Sequence, residues 1–177
     1  MAISQSSIVI RRMTEDDVPM LHAWLHRPHV AEWWGRDDEH LSLDEVRAKY
    51  LQRVMAVDRV TPYIATLEGQ PIGYAQSYVA LGCGEGWWTD ETDPGVRGID
   101  QFLSEASMLG QGIGTRMVTA LVELLFRDPA ITKVQADPDP TNRRAIRCYE
   151  KAGFKAIRTI VTPDGAALYM LQERARA

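Results

Sequence analysis

The sequence predicts a single α/β domain: a mixed central sheet of about seven strands flanked by about four helices. Length and composition carry the first part of that expectation. At 177 residues, with 45% hydrophobic and 25% charged residues, the chain is long enough to bury one proper core and sits near globular averages. Order carries the second part. Stretches of alternating polarity and stretches of helical apolar period run as strand, two helices, three strands, helix, strand, helix, two strands. Continuity carries the third. No repeat, low-complexity tract or linker-like stretch interrupts the order, so residues 1–177 read as one domain.

The first strand is SIVIRRM (7–13), which alternates. In TEDDVPMLHAWLHR (14–27), Thr14 is placed as an N-cap with Asp17 three residues on, ahead of Val18, Leu21, Trp24 and Leu25 at helical spacing. The signal repeats in SLDEVRAKYLQRVM (42–55), where Ser42 and Glu45 form a capping box before Val46, Tyr50 and Val54. TPYIATLEGQPIGYAQSYVAL (61–81) reads as two strands turning at Glu68-Gly69-Gln70. RGIDQFLSEAS (97–107) is a further strand, with Ile99, Gln101 and Leu103 on one face and Asp100, Phe102 and Ser104 on the other. LGQGIGTRMVTALVELLF (109–126) is a glycine turn opening onto a long apolar helix. ITKVQAD (131–137) is a short strand, and TNRRAIRCYEKAGF (141–154) is a helix ended by Gly153. A hairpin around Pro163-Asp164-Gly165 closes the chain.

Composition excludes several function classes. No apolar run is long enough to cross a bilayer, and MAISQSSIVIRRM lacks the basic-then-apolar layout of a signal peptide. Cys83 and Cys148 stand far apart, outside any CxxC pattern, and read as two reduced thiols of a cytoplasmic protein. The net charge of −4 argues against a nucleic-acid partner and is compatible with a cationic small molecule. No membrane partner is expected, and the expected state is a monomer or weak homodimer. His22 and His26, four apart on a helix, lack the glutamate of HExxH and a third ligand, so no metal is expected.

Two stretches invite a chemical reading. In GEGWWTDETDPGVRGID (84–100), Trp87 and Trp88 stand among Glu85, Asp90, Glu91, Asp93 and Asp100, against Arg97 alone. Carboxylates neutralise ammonium groups, and indole faces favour nearby cations by roughly 0.5–2 kcal/mol, so the loop reads as one wall of a polycation pocket. A solvated acidic loop pinned to the core by its tryptophans is the plainer alternative. GQGIGT (110–115) lies between a strand and a helix, where free N–H groups suit a phosphate. It is neither a Walker loop nor a dinucleotide fingerprint, and taken alone it suits a tight turn needing small residues equally well. Downstream, Asn142, Ile146 and Tyr149 share one helical face, with Arg143, Arg144 and Arg147 on the other turns.

Together, RGIDQFLSEAS, LGQGIGT, KVQAD and NRRAIRCYEKAGF resemble the core of the GNAT acetyltransferase superfamily. Leu109 through Gly114 occupy the six places of that family's Q/R-x-x-G-x-G/A turn, with Leu109 where Arg or Gln is usual. Within the superfamily, PHVAEWWG, TPYIA, PIGYAQSYVALG, GWW, ETDPGVRGIDQ and TPDG resemble the aminoglycoside 6′-N-acetyltransferases, a likeness running from about Arg11 to Gln172.

The resemblance implies a GNAT fold, acetyl-CoA as donor and the 6′-amine of an aminoglycoside as acceptor. It places the backbone of Gln101, Phe102 and Leu103 along the pantetheine and thioester. It places the N–H groups of Gln111, Gly112, Ile113, Gly114 and Thr115 around the pyrophosphate, with Asn142 at the coenzyme arm. Tyr149 falls where the family has the acid that protonates the departing thiolate, and Asp100 where it has a carboxylate at the reacting amine. Trp34, Glu85, Trp88, Asp100, Asp137 and Asp164 fall on positions that line the antibiotic pocket; Glu85 stands where relatives carry Asp. A transferase for another amine, such as a ribosomal-protein N-terminus, and a non-catalytic binding module on the same fold are the rival readings.

Overall fold

The structure, a computed structural model, describes residues 7–35 and 38–175. Residues 1–6, 36–37 and 176–177, part of the expected 1–177 span, lie outside the described residues; the first six also begin the stretch read for a leader.

The elements are β1 (Ile8–Arg12), α1 (Val18–Leu25), α2 (Pro28–Ala31), α3 (Leu43–Val54), β2 (Val60–Leu67), β3 (Gln70–Val79), β4 (Val96–Leu103), α4 (Ile113–Leu125), β5 (Lys133–Ala136), α5 (Arg143–Lys151), β6 (Lys155–Thr162) and β7 (Gly165–Glu173). The seven strands form one mixed sheet in the order β1-β2-β3-β4-β5-β7-β6. β4 and β5 run parallel, whereas β1–β2, β5–β7 and β6–β7 are antiparallel.

The described residues hold five helices where about four were expected. The stretch read as one helix over 14–27 divides. A 3-10 turn at Glu15–Asp17 precedes α1, and Pro28 opens the short α2. Arg27, directly before that proline, is extended (φ −76°, ψ 131°), because the proline ring disfavours a helical conformation in the residue ahead of it. β4 likewise ends at Leu103 rather than running on, since Ala106–Met108 coil into a 3-10 turn.

Two compact units are distinguishable. One comprises the described residues up to Gln76 together with 101–111; the other comprises Ser77–Asp100 and the residues from Gly112 on. In the first unit, α1 buries Val18, Leu21, Trp24 and Leu25, the four positions its spacing singled out, against Val46, Tyr50, Ile64 and Tyr74. Each such large side chain contributes about 1.5–3 kcal/mol when fully buried. The capping box opens α3: the Ser42 N–H donates to Glu45 Oε2 at 2.7 Å, and the Glu45 N–H donates to Ser42 Oγ at 3.3 Å. In the second unit, α4 buries Met117, Val118, Leu121, Val122 and Leu125, a stripe of helical period. Among the described residues no helix is long and apolar enough to cross a membrane.

Candidate active site

The turn into α4 is built for an anion. Gly110 and Gly112 hold left-handed φ values of +75° and +78°, which side-chain-bearing residues rarely adopt, and a Cβ at either would meet nothing within 4 Å. Gly112 is also the N-cap of α4, and no side chain caps that end. The other long helices differ: Ser42 caps α3, and Asn142 Oδ1 accepts the Ala145 N–H at 3.1 Å to cap α5. The first-turn N–H groups of α4, around Ile113, Gly114 and Thr115, therefore open towards a side with room for a ligand. Gln111 is exposed, its Nε2 donating to the Ser107 carbonyl at 2.5 Å. These features fit a coenzyme pyrophosphate.

β4 pairs with β5 at Val96↔Lys133, Arg97↔Val134 and Gly98↔Gln135, and the ladder stops there. Farther along β4, Gln101 and Phe102 are half-buried, and the Leu103 carbonyl meets His29 Nε2 at 2.9 Å.

Three of the expected pocket carboxylates converge. Asp100 projects from β4, Asp137 follows β5, and Asp164 occupies the β6–β7 turn. Burial, then the charges of Asp100 and Asp164, push the Asp137 carboxyl up to about 8. Burial and the neighbouring like charges thus both favour the protonated form of Asp137. Tyr78, on β3, sits beside the same charges: burial first, then Asp100 and Asp137, hold its phenol well above the ordinary tyrosine value.

The indole loop splits into two parts. Trp88 packs beside the carboxylate cluster through Tyr78. Its Nε1–H donates to Tyr78 Oη at 3.2 Å, and its ring lies 5.4 Å from that of Tyr169. Its backbone is left-handed, with φ +46°. Most of the loop acids serve other partners. Glu91 pairs with Lys133 at 3.1 Å, and its Oε1 accepts the N–H groups of Thr92 and Asp93. Asp93 accepts the Thr132 hydroxyl at 2.6 Å and the Gly95 N–H at 2.7 Å, and those bonds hold its carboxyl below the usual range. Asp90 meets Arg158 at 3.4 Å. Glu91 and Asp93 thus fold the loop rather than facing outward from it, while Glu85 is exposed among the glycines that precede the indoles.

In the first unit, Trp34 and Phe102 belong to an aromatic cluster. The Trp34 Nε1–H donates to Tyr50 Oη at 3.3 Å, and its ring stands edge-on to Tyr74 at 5.4 Å and to Phe102 at 4.9 Å. Phe102 stacks on Tyr74 at 5.6 Å.

Tyr149 is buried on α5, its ring 5.2 Å from that of Phe154. Arg143, Arg144 and Arg147 are exposed on the same helix. Cys148, the neighbour of Tyr149, accepts the Thr115 hydroxyl at its sulfur at 3.8 Å, and burial pushes its thiol up, which weakens it as a nucleophile. His26 Nδ1 meets the His22 carbonyl at 2.8 Å. No cluster of three or more metal-ligating side chains occurs among the described residues.

Sequence reasoning missed Tyr78 and Gln135. A signal for the first was present: a glycine inside a strand marks a close approach. A Cβ on Gly98 would land on the ring and hydroxyl of Tyr78.

Comparison with known proteins places the chain in a family. Residues 13–162 match the model of an acetyltransferase (GNAT) domain. The aminoglycoside N(6′)-acetyltransferase type 1 of Klebsiella pneumoniae is 61% identical over 171 residues, covering 97% of this chain and 85% of the relative. Among solved structures, the aminoglycoside acetyltransferase AAC(6′)-Ib in complex with coenzyme A and kanamycin superposes with a TM-score of 0.89 at 61% identity, covering 95% of each chain. The same enzyme with ribostamycin and coenzyme A gives 0.91, again at 61% identity, covering 95% of this chain and 94% of that one. On the strength of a family match over most of its length, the chain belongs to the GNAT acetyltransferases.

Proposed function

We propose that the protein transfers the acetyl group of acetyl-CoA to the 6′-amine of aminoglycoside antibiotics, and so confers resistance to them. The observation that carries this reading is the convergence of Asp100, Asp137 and Asp164 beside Trp88, where burial favours a protonated Asp137 and an entering cation would favour its charged form. Relatives solved with kanamycin and with ribostamycin support the substrate class.

Bound acetyl-CoA supplies an activated acyl carbon. The first-turn N–H groups of α4 and the backbone of Gln111 to Thr115 hold its pyrophosphate, the backbone of Gln101, Phe102 and Leu103 its pantetheine, and Asn142 its arm. Asp100 orients the 6′-nitrogen. With an ordinary aspartate value near 4, it orients an ammonium more readily than it strips one. Tyr149 donates to the leaving thiolate. A thiol near 8.5 and a phenol near 10 are close enough for that transfer without large tuning. Trp34, Glu85, Trp88, Asp137 and Asp164 complete the proposed antibiotic contacts, the indoles against ring faces and the carboxylates against ammonium groups.

The test is thiol release from acetyl-CoA with a panel of aminoglycosides bearing an amine or a hydroxyl at the 6′ carbon, alongside a ribosomal peptide. Turnover confined to the 6′-amines is expected. Turnover with the peptide alone, or binding without turnover, refutes the reading.

A further inference from the structure

Gln135 is the one side chain among the described residues whose amide is wholly unanswered. It is completely buried in the middle of β5, yet neither Nε2 nor Oε1 has a hydrogen-bond partner in the protein. Buried polar groups in folded proteins are almost always satisfied, by protein or by ordered water. Its surroundings show what can answer it. The partner of Gln135 across the parallel ladder is Gly98, and the Tyr78 phenol fills the space over that glycine. Asp137 follows directly after β5, two residues on from Gln135, and its charge reaches the same phenol. The Trp88 indole donates to Tyr78 Oη, which leaves the phenol its own hydrogen to give. The carboxamide, the phenol and the Asp137 carboxyl thus give a water the two to four polar partners such a site needs.

We propose that Gln135 is a positioning residue of the transfer reaction, holding an ordered water that ties its carboxamide to the Asp137 carboxyl and the Tyr78 hydroxyl. The water fixes the carboxyl that meets the incoming ammonium group, and a fixed carboxyl fixes the nitrogen. The kinetic half of this proposal rests on the aminoglycoside reading; the water site stands on geometry alone.

Two measurements test it. A high-resolution crystal structure of the unaltered protein is expected to show a water within hydrogen-bond distance of both the Gln135 carboxamide and Asp137; no water there overturns the proposal. Gln135→Met keeps length and apolar volume but removes both polar ends. It is expected to lower kcat with kanamycin about tenfold while KM changes by less than about twofold. Its thermal midpoint is expected to move little, because the net contribution of a hydrogen bond exchanged with water is small. A folded variant with unaltered kcat overturns the positioning role. If Gln135→Met does not fold, Gln135→Asn, which withdraws the carboxamide by one methylene, is scored by the same kcat criterion. Unaltered protein that is inactive on kanamycin yet holds the water would sink the aminoglycoside reading instead.

Discussion

Asp137 gives the sharpest quantitative test, through the pH dependence of stability. Its carboxyl is raised from 3.8 to about 8 in the folded protein, by burial first and then by Asp100 and Asp164. Between those values the folded state keeps a proton that the unfolded chain has released. Folding therefore takes up a proton in this window, and stability falls as pH rises through it, the reverse of an aspartate in a salt bridge. One proton corresponds to about 1.4 kcal/mol per pH unit, so raising pH from 5 to 7 removes about 2.7 kcal/mol through this group alone. Asp137→Asn keeps the shape and cannot ionise, so that share of the slope disappears. Urea unfolding of both proteins at pH 5 and pH 7 reads the loss of this group together with any change in the Asp100 and Asp164 carboxylates it faces. With a slope near 2 kcal/mol per molar urea, the difference in midpoint shift is about 1.4 M. Parallel pH dependence in the two proteins would refute the argument, and with it the idea that a cation displaces a proton on entering the site.

Tyr149→Phe is expected to lower kcat about tenfold or more with little change in KM, read by steady-state thiol release; an unchanged kcat removes Tyr149 as the acid. Asp100→Asn is expected to lower kcat/KM for 6′-amines by about a hundredfold or more, and full activity would show the reacting nitrogen is oriented by another group. Gly98→Ala pushes a methyl into the Tyr78 ring and is expected to cost about 1–3 kcal/mol in urea unfolding, with altered Trp88 fluorescence as the indole loses its phenol.

The elements with a strong period or a capping signature were legible in the sequence. α1 buries the four residues its spacing indicates, α3 buries Val46 and Tyr50 with Val54 partly covered, and the Ser42–Glu45 box forms. The short α2 that Pro28 opens went unread, because four residues are too few to show a helical period. The glycine turn into α4 was legible only in part, since glycines alone do not distinguish a tight turn from a cradle; the open space at Gly110 and Gly112 and the uncapped start of α4 favour the cradle. The loop acids misled because a carboxylate looks the same in sequence whether it binds a ligand or caps a turn. Asp93 and Glu91 cap their own neighbours, while Asp137, without a second acid near it in the chain except Asp139, is the one strongly perturbed. Tyr78 and Gln135 escaped notice because their meaning depends on the alignment of three strands, which no local pattern encodes.

The left-handed backbone of Trp88 has a consequence for variation at that position. A bulky residue in that conformation costs roughly 1–2 kcal/mol, which glycine or asparagine would largely recover. Either replacement would surrender the donor to Tyr78 and the face against Tyr169. Substitutions the main chain welcomes are those the pocket rejects, and ring-bearing ones the pocket could accept inherit the torsional penalty. A saturation library at codon 88 should accordingly show stabilised, inactive clones at one extreme and tryptophan nearly alone at the other.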